Sequence, residues 1–220
     1  MPPSTGLRAR LRAELTSEIK DEARRQLAAE GAPALSLRAV TRELGMASSA
    51  IYRYFPAKTD LVAALLAEIA EREIGALRHA ADGAPGPLSA LSAAIMTFAA
   101  RAVRNRRLVF AALAEPVDAE LDAARLAFRK ALAAEFAARV AAAAAGGHLP
   151  DQDSMLAAAA LVGLLVEGLI GPLAPEISGR ERDVVQSLTL VALRALGVAD
   201  ARARGLVVQT RMPADAGASG

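Results

Sequence analysis

With 220 residues, 54% of them hydrophobic, the chain is long enough to bury a proper core without staples. The absence of cysteine excludes a disulfide framework, thiolate metal sites and a cysteine nucleophile. Formal net charge is only +2, but residues 1–60 carry ten Lys or Arg against seven acids, a local excess that suits a polyanionic partner.

The N-terminus, Met1-Pro2-Pro3-Ser4-Thr5-Gly6 and then arginines, lacks the apolar run of about 7 to 15 residues that a signal peptide needs, so a cytoplasmic location is expected. The most apolar stretch, Met155 to Ala174, is broken by Glu167, glycines and Pro172. A membrane span needs about 20 strongly apolar residues, so this stretch reads as a buried helix and no membrane is expected as a partner.

Alanine and leucine are abundant, β-branched and aromatic residues are sparse, and apolar positions recur at three and four residues; the fold is therefore expected to be all-α, with about nine helices. The first helix spans about 7–29, with Leu11, Leu15, Ile19, Ala23 and Leu27 as its apolar stripe and Gly31 as its stop. Ser36 is placed to cap a short helix ending near Leu44, and Gly45 permits a left-handed turn. A third short helix is predicted over 48–54, ended by Pro56, and a fourth from Lys58 to about Ala80. Asp82-Gly83-Ala84-Pro85-Gly86-Pro87 reads as a linker. Further helices are predicted at 88–104, 106–114, 118–145, 151–173 and 180–196, separated by Pro116, by Gly146-Gly147-His148-Leu149-Pro150 and by Pro175-Glu176-Ile177-Ser178-Gly179. Residues 201–220 read as a tail, disordered from Met212 to Gly220.

Residues 36–58 form a helix, a glycine turn and a second helix rich in small hydroxyls and tyrosine, a helix-turn-helix pattern. Val40, Leu44, Met46, Ile51 and Phe55 supply the apolar contacts that hold two helices at a fixed angle. Ser48, Ser49 and the methyl of Ala50 are small enough to let the backbone approach base edges. Tyr52 and Tyr54 can direct hydroxyls to phosphates, Arg53 adds charge, and Lys58 opens the next helix where its ammonium and free N–H groups suit a phosphate.

Gly45-Met46, Ile51-Tyr52, Tyr54-Phe55, Lys58 and Leu61 fall at the spacing of an L-G-V-S-x-x-x-L-Y-x-H-F-x-x-K-x-x-L signature, and in this the chain resembles the TetR family of transcriptional regulators. The resemblance implies an N-terminal three-helix DNA-binding domain, a fourth helix connecting it to a helical ligand-binding domain, and two long C-terminal helices that pair with a second subunit. It implies phosphate contacts from Ser36 and Arg38, base or backbone contacts from Ser48, Ser49, Ala50, Tyr52 and Tyr54, and a phosphate grip by Lys58. Two departures stand out: Ala47 replaces the usual capping serine, which should weaken the cap by about 1 kcal/mol, and Tyr54 replaces a common histidine. Arg8, Arg10 and Arg12 either form a solvated helix face or reach a flanking groove.

The division expected is a DNA-binding domain over 1–62, a ligand-binding and dimerisation domain over 63–200 and a tail over 201–220, with the connecting helix shared near Leu61 to Leu66. In the second part, Met96, Phe98, Phe110, Phe128 and Met155 are adaptable apolar side chains that either line a ligand site or pack a core. Glu167, amid apolar neighbours, needs a partner: a ligand's polar group, Arg101 or Arg125, or solvent at a dimer rim. The Glu115-Pro116-Val117-Asp118 run reads as a loop and helix cap. A lining poor in aromatics favours a hydrophobic molecule such as a fatty-acyl compound. Gly163, Gly168, Gly171 and Ala157 to Ala160, with Val184, Leu188, Val191 and Leu193, suit a homodimer interface and hence a palindromic operator.

His79 and His148 stand alone, and no G-x-S-x-G, Gly-rich phosphate loop or metal spacing is present, so neither an enzyme nor a cofactor or metal is expected. The function expected is a dimeric repressor released from its operator by a hydrophobic ligand. The competing reading is a hydrophobic-ligand carrier on the same fold without specific DNA binding.

Overall fold

The computed structural model describes residues 4–116 and 119–213. Among these residues there are nine α-helices, one 3-10 turn and no strand: α1 (Ser4–Glu30), α2 (Leu37–Glu43), the turn Ile51–Arg53, α3 (Lys58–Asp82), α4 (Pro87–Arg104), α5 (Arg106–Leu113), α6 (Ala119–Ala145), α7 (Ser154–Leu169), α8 (Glu181–Ala195) and α9 (Asp200–Gln209). None is long and apolar enough to cross a membrane.

The apolar stripe of α1 is buried only in its second half. Ile19, Ala23 and Leu27 are fully covered, Leu15 is half-buried, and Leu7 and Leu11 stand 62% and 55% exposed. Periodicity alone does not say how far along a helix its neighbours reach. The helix stops at Gly31, whose φ of +85° continues no right-handed helix.

Ser36 caps α2, its hydroxyl accepting the Ala39 N–H at a long 3.5 Å. Gly45 then turns the chain at φ +63° with open space where a Cβ would stand, so the need for glycine there is conformational and not steric. The helix predicted over 48–54 forms as a turn at 48–50 followed by the single 3-10 turn Ile51–Arg53. Backbone bonds close over three residues from Ala50 N–H to the Ala47 carbonyl at 2.8 Å and from Tyr54 N–H to the Ile51 carbonyl at 2.9 Å, and Phe55 N–H reaches the same Ile51 carbonyl at 2.9 Å. Ala47 has no side chain to cap the turn, serines are weak helix formers, and Pro56 ends the segment before another turn can close.

Helix α4 is the centre of the fold. Packed against α3, α6 and α8, it buries Leu88, Leu91, Ala94, Ile95, Met96, Phe98 and Ala99 around nearly its whole circumference. Pro87 opens it, the first-turn position where proline's missing N–H is not needed. Helix α7 starts at Ser154 because the Asp153 carboxylate accepts the Met155 and Leu156 N–H groups at 2.9 and 3.1 Å, and it ends at Leu169, short of the predicted 173, as the chain turns through Gly171 and Pro172. Gly168 lets α7 approach α8: a Cβ there would stand 3.0 Å from Leu188.

The region expected to be a tail instead carries α9. Ala203, Leu206 and Val207, at helical spacing, are buried, while Arg194 and Arg204 hold Asp200 in its first turn. Met212 and Pro213 beyond it are half-buried. The predicted disorder of residues 214–220 and the predicted loop, cap and helix start at Val117 and Asp118 lie outside the described residues.

Candidate DNA interface and ligand cleft

The helix-turn-helix segment is held by Val40 and Ile51, both fully buried, Phe55 and Leu61, with Leu44 and Met46 half-buried against them. Anchored this way, the segment leaves Arg38, Ser48, Ser49, Tyr52 and Arg53 exposed and Ser36 and Ala50 half-exposed. The two tyrosines differ. Tyr52 is 53% exposed, whereas Tyr54 packs against the core with the Arg12 guanidinium 5.8 Å from its ring centre. Arg12 also donates to the Arg53 carbonyl at 3.2 Å, so α1 buttresses the turn across a shallow groove that includes Arg8, Glu14 and Glu18. This buttress was missed in the sequence, where the only signal was the placing of Arg8 and Arg12 one helical turn apart. The Lys58 ammonium donates to the Pro33 carbonyl at 3.0 Å, tying the start of α3 to the loop before α2, with further protons left for an anion. Asp60 accepts the Ala57 N–H at 2.9 Å and so caps α3.

Two sets of contacts join this head to the rest of the chain. On α3, Glu68 takes Lys20 at 2.8 Å and Arg24 from α1 and Arg72 at 3.0 Å. Burial pushes the Glu68 carboxyl up, but the Lys20 hydrogen bond and the charges of Arg24, Lys20 and Arg72 together outweigh it and hold the group below its ordinary value. A carboxyl with a depressed folded-state pKa contributes stability above its unfolded pKa, and that contribution is lost as pH falls through the folded value. Glu68→Gln should therefore lower stability near neutrality by about 1 kcal/mol and flatten the decline in Tm as pH drops below about 4.5. Thermal melts from pH 7 to 3 check this; parallel acid limbs for the two proteins would count against it.

The second connection is at Glu115, after α5. Its carboxylate accepts the Ala32 N–H at 2.8 Å and fills the space where a Cβ on Gly31 would stand, while Arg125 of α6 donates to the Glu115 and Leu113 carbonyls. The described part of the predicted loop thus closes against the end of α1.

A cleft of about 590 Å³ lies between α3, α4, α9 and the segment that follows α9. Ala80, Ala93, Thr97, Arg101, Thr210 and Arg211 are among its walls, and Ser92 and Thr210 pin the last wall by a 2.8 Å hydroxyl contact. Arg101 is fixed by the buried carboxylate of Glu73, with Nε to Oε2 at 2.7 Å and Nη2 to Oε1 at 2.8 Å. The Glu73 hydrogen bond raises the guanidinium above its ordinary value against the opposing effect of burial, so Arg101 stays charged.

None of the six side chains picked out for a ligand lines this cleft. Met96, Phe98 and Phe128 are fully buried, Phe98 meeting Phe136 edge-on at 6.4 Å, and Phe110 is half-buried against the same core. Met155 is 56% exposed at the start of α7. Glu167 pairs with neither Arg101 nor Arg125; its carboxylate accepts the Leu173 N–H at 3.2 Å, closing the chain after α7. Large apolar residues fill space against one another, and room is left where alanines line the wall. The sequence signal for the cleft was Arg101, a charge on the mostly buried helix α4. Among the described residues, no group of three or more His, Asp or Glu is placed to hold a metal.

Residues 19–65 match the family model described as bacterial regulatory proteins, tetR family. Over 63 residues the chain is 44% identical to the HTH-type transcriptional regulator Rv1816 of Mycobacterium tuberculosis, a match spanning 29% of this chain and 27% of that relative. The fold is similar to that of a bacterial regulatory protein in the tetR family from Rhodococcus RHA1, with a TM-score of 0.69 and 22% identity over 84% of this chain and 98% of the other. It is also similar to that of the transcriptional regulator FadR from Bacillus subtilis in complex with stearoyl-CoA, with a TM-score of 0.69 and 19% identity over the same shares of the two chains. Residues 19–65 are thus the segment that the tetR family of bacterial regulatory proteins shares, and the all-helical body around them has the fold of solved regulators of that family.

Proposed function

We propose that this chain is a dimeric DNA-binding repressor in the cytoplasm, released from a palindromic operator by a small hydrophobic ligand, and that it has no enzymatic role. In this reading residues 1–62 bind DNA, residues 63–200 bind ligand and dimerise, and the cleft adds α9 to the ligand part. The observation that carries it is the segment 36–58, in which α2, the Gly45 turn and the 3-10 turn Ile51–Arg53 share a fully buried apolar seam at Val40 and Ile51 and present Ser48, Ser49, Tyr52 and Arg53 to solvent. Ser36, Arg38, Tyr52, Arg53 and Lys58 contact phosphates, and Ser48, Ser49 and Ala50 approach bases; Tyr54 acts mainly through its packing.

The dimer face is the outer side of α7 and α8. Leu156 and Val191 are 69% and 46% exposed there, and Ala159, Ala160 and Gly163 keep the surface low enough for a second copy to approach closely. A hydrophobic or acyl ligand fits the aliphatic cleft, and FadR of Bacillus subtilis, which shares the fold, is in complex with stearoyl-CoA. Helix α3 connects the two ends. It is roughly 37 Å long at 1.5 Å per residue, starts at Lys58 beside the DNA head and carries Ala76, His79 and Ala80 into the cleft wall. A ligand that binds better when the two heads are set wrongly for successive major grooves lowers operator affinity by its differential affinity.

Fluorescence anisotropy on the DNA upstream of the chain's own coding sequence, against a scrambled duplex at fixed salt, tests the reading. Tyr52→Ala should weaken specific binding about tenfold, or about 1.4 kcal/mol, with an unchanged melting temperature. Equal weak binding to both duplexes, together with failure on a genomic fragment pool, would leave the carrier reading in its place.

A further inference from the structure

We infer that the cleft between α3, α4 and α9 takes a small aliphatic carboxylate, its anionic head on Arg101 and its chain along the alanine wall beneath the segment Thr210 to Pro213. The inference rests on the reading of this chain as a ligand-responsive regulator and names the chemistry of that ligand.

The charge of the lining decides the head group. Arg101, Arg211 and His79 face the cleft, and no Asp or Glu is among its lining residues. Glu73, the acid paired with Arg101, is occupied: it holds Nε and Nη2 of Arg101, which fixes the guanidinium plane and leaves that side chain's remaining N–H donors for an acceptor. An anchor fixed in advance loses little side-chain entropy when a carboxylate arrives. Thr97 and Thr210 add neutral hydroxyls nearby.

The rest of the lining decides the tail. Ala76, Ala80, Ala93, Leu206 and Met212 give an apolar wall without an aromatic ring, so the cleft suits a flexible aliphatic chain better than a planar stack. A volume of about 590 Å³ falls in the range of small-molecule sites. The strap over it is a built part of the site, pinned by Ser92 to Thr210 and completed by half-buried Met212 and Pro213.

Isothermal titration of the full-length protein with hexanoate, decanoate and tetradecanoate, with decan-1-ol as the uncharged control, tests the inference. At least one carboxylate should bind, at least tenfold more tightly than the alcohol. Removing Arg101 alone would strand Glu73, so the charge test uses the double variant E73Q/R101Q, expected to bind the carboxylate at least tenfold more weakly. Ala93→Leu, which fills the cleft without touching the ion pair, should reduce binding to a similar degree and decides the matter if the double variant does not fold. No carboxylate binding, equal binding of alcohol and acid, or unchanged binding in Ala93→Leu would overturn the inference. Operator titrations separate this site from the functional reading. Carboxylate binding that leaves operator affinity unchanged keeps the site and removes ligand-released repression, whereas operator release by some other molecule without carboxylate binding does the reverse.

Discussion

Arg101→Ala should destabilise the protein by about 3–5 kcal/mol, far more than the loss of a surface ion pair. Glu73 lies on α3 with its side chain 8% exposed, and the guanidinium of Arg101 on α4 satisfies both of its oxygens. Removing the cation leaves a charge that water barely reaches, and the desolvation penalty then stands alone. E73Q/R101Q, neutral on both sides and able to keep a hydrogen bond, should recover most of the loss. Urea denaturation of the three proteins checks the sign and size: a loss below about 1 kcal/mol for Arg101→Ala would mean that water reaches Glu73 freely.

Phe98→Ala should cost about 3–5 kcal/mol as well, through packing instead of charge. The ring is 1% exposed and meets Phe136 edge-on, with an interplanar angle of 85°. It joins α4 to α6 at the centre of the molecule, where a truncated side chain leaves a cavity its neighbours only partly fill. This variant separates two roles that the sequence leaves open for Phe98. If the ring packs a core, stability falls and the affinity of the remaining folded protein for a cleft ligand is unchanged; if it lines a ligand site, affinity falls with it. The structure predicts the first outcome. Guanidinium denaturation with titration calorimetry on the same preparation measures both.

The proposed mechanism places demands on α3. Its first turn is tied to the DNA head by Lys58 and Pro33, its middle by Glu68 to Lys20 and Arg24, and its last turns form the cleft wall. A shift of that helix is therefore felt at both ends, and Glu115 against Gly31 and Ala32 supplies a second contact between the head and the α5–α6 corner. Movement of the head must break or carry along both contacts, which makes them the elements whose equilibrium a ligand has to bias.

By itself the sequence determined the helical class, most helix boundaries and the turn-helix segment, because these follow from local chemistry. Ser36 caps, Gly31 and Gly45 adopt positive φ, prolines end segments, and a three-and-four apolar spacing makes a helix whatever surrounds it. It also supplied the resemblance to the tetR family, through Gly45, Tyr52, Phe55 and Lys58 at fixed spacing within the matched residues 19–65. Only the tertiary structure decided which apolar residues lie inside. Leu11 and Leu27 occupy one stripe yet differ from 55% to fully buried, since burial depends on how far the neighbouring helices extend. It also decided that Arg101 would answer Glu73, 28 residues away, because helix packing brings α3 and α4 together, and that Glu167 would close the turn to Leu173 and meet neither arginine. For the same reason α9 was legible only once built: Ala203, Leu206 and Val207 are too short and too interrupted by arginine and glycine to declare a helix until the body of the protein offers a surface to bury them against.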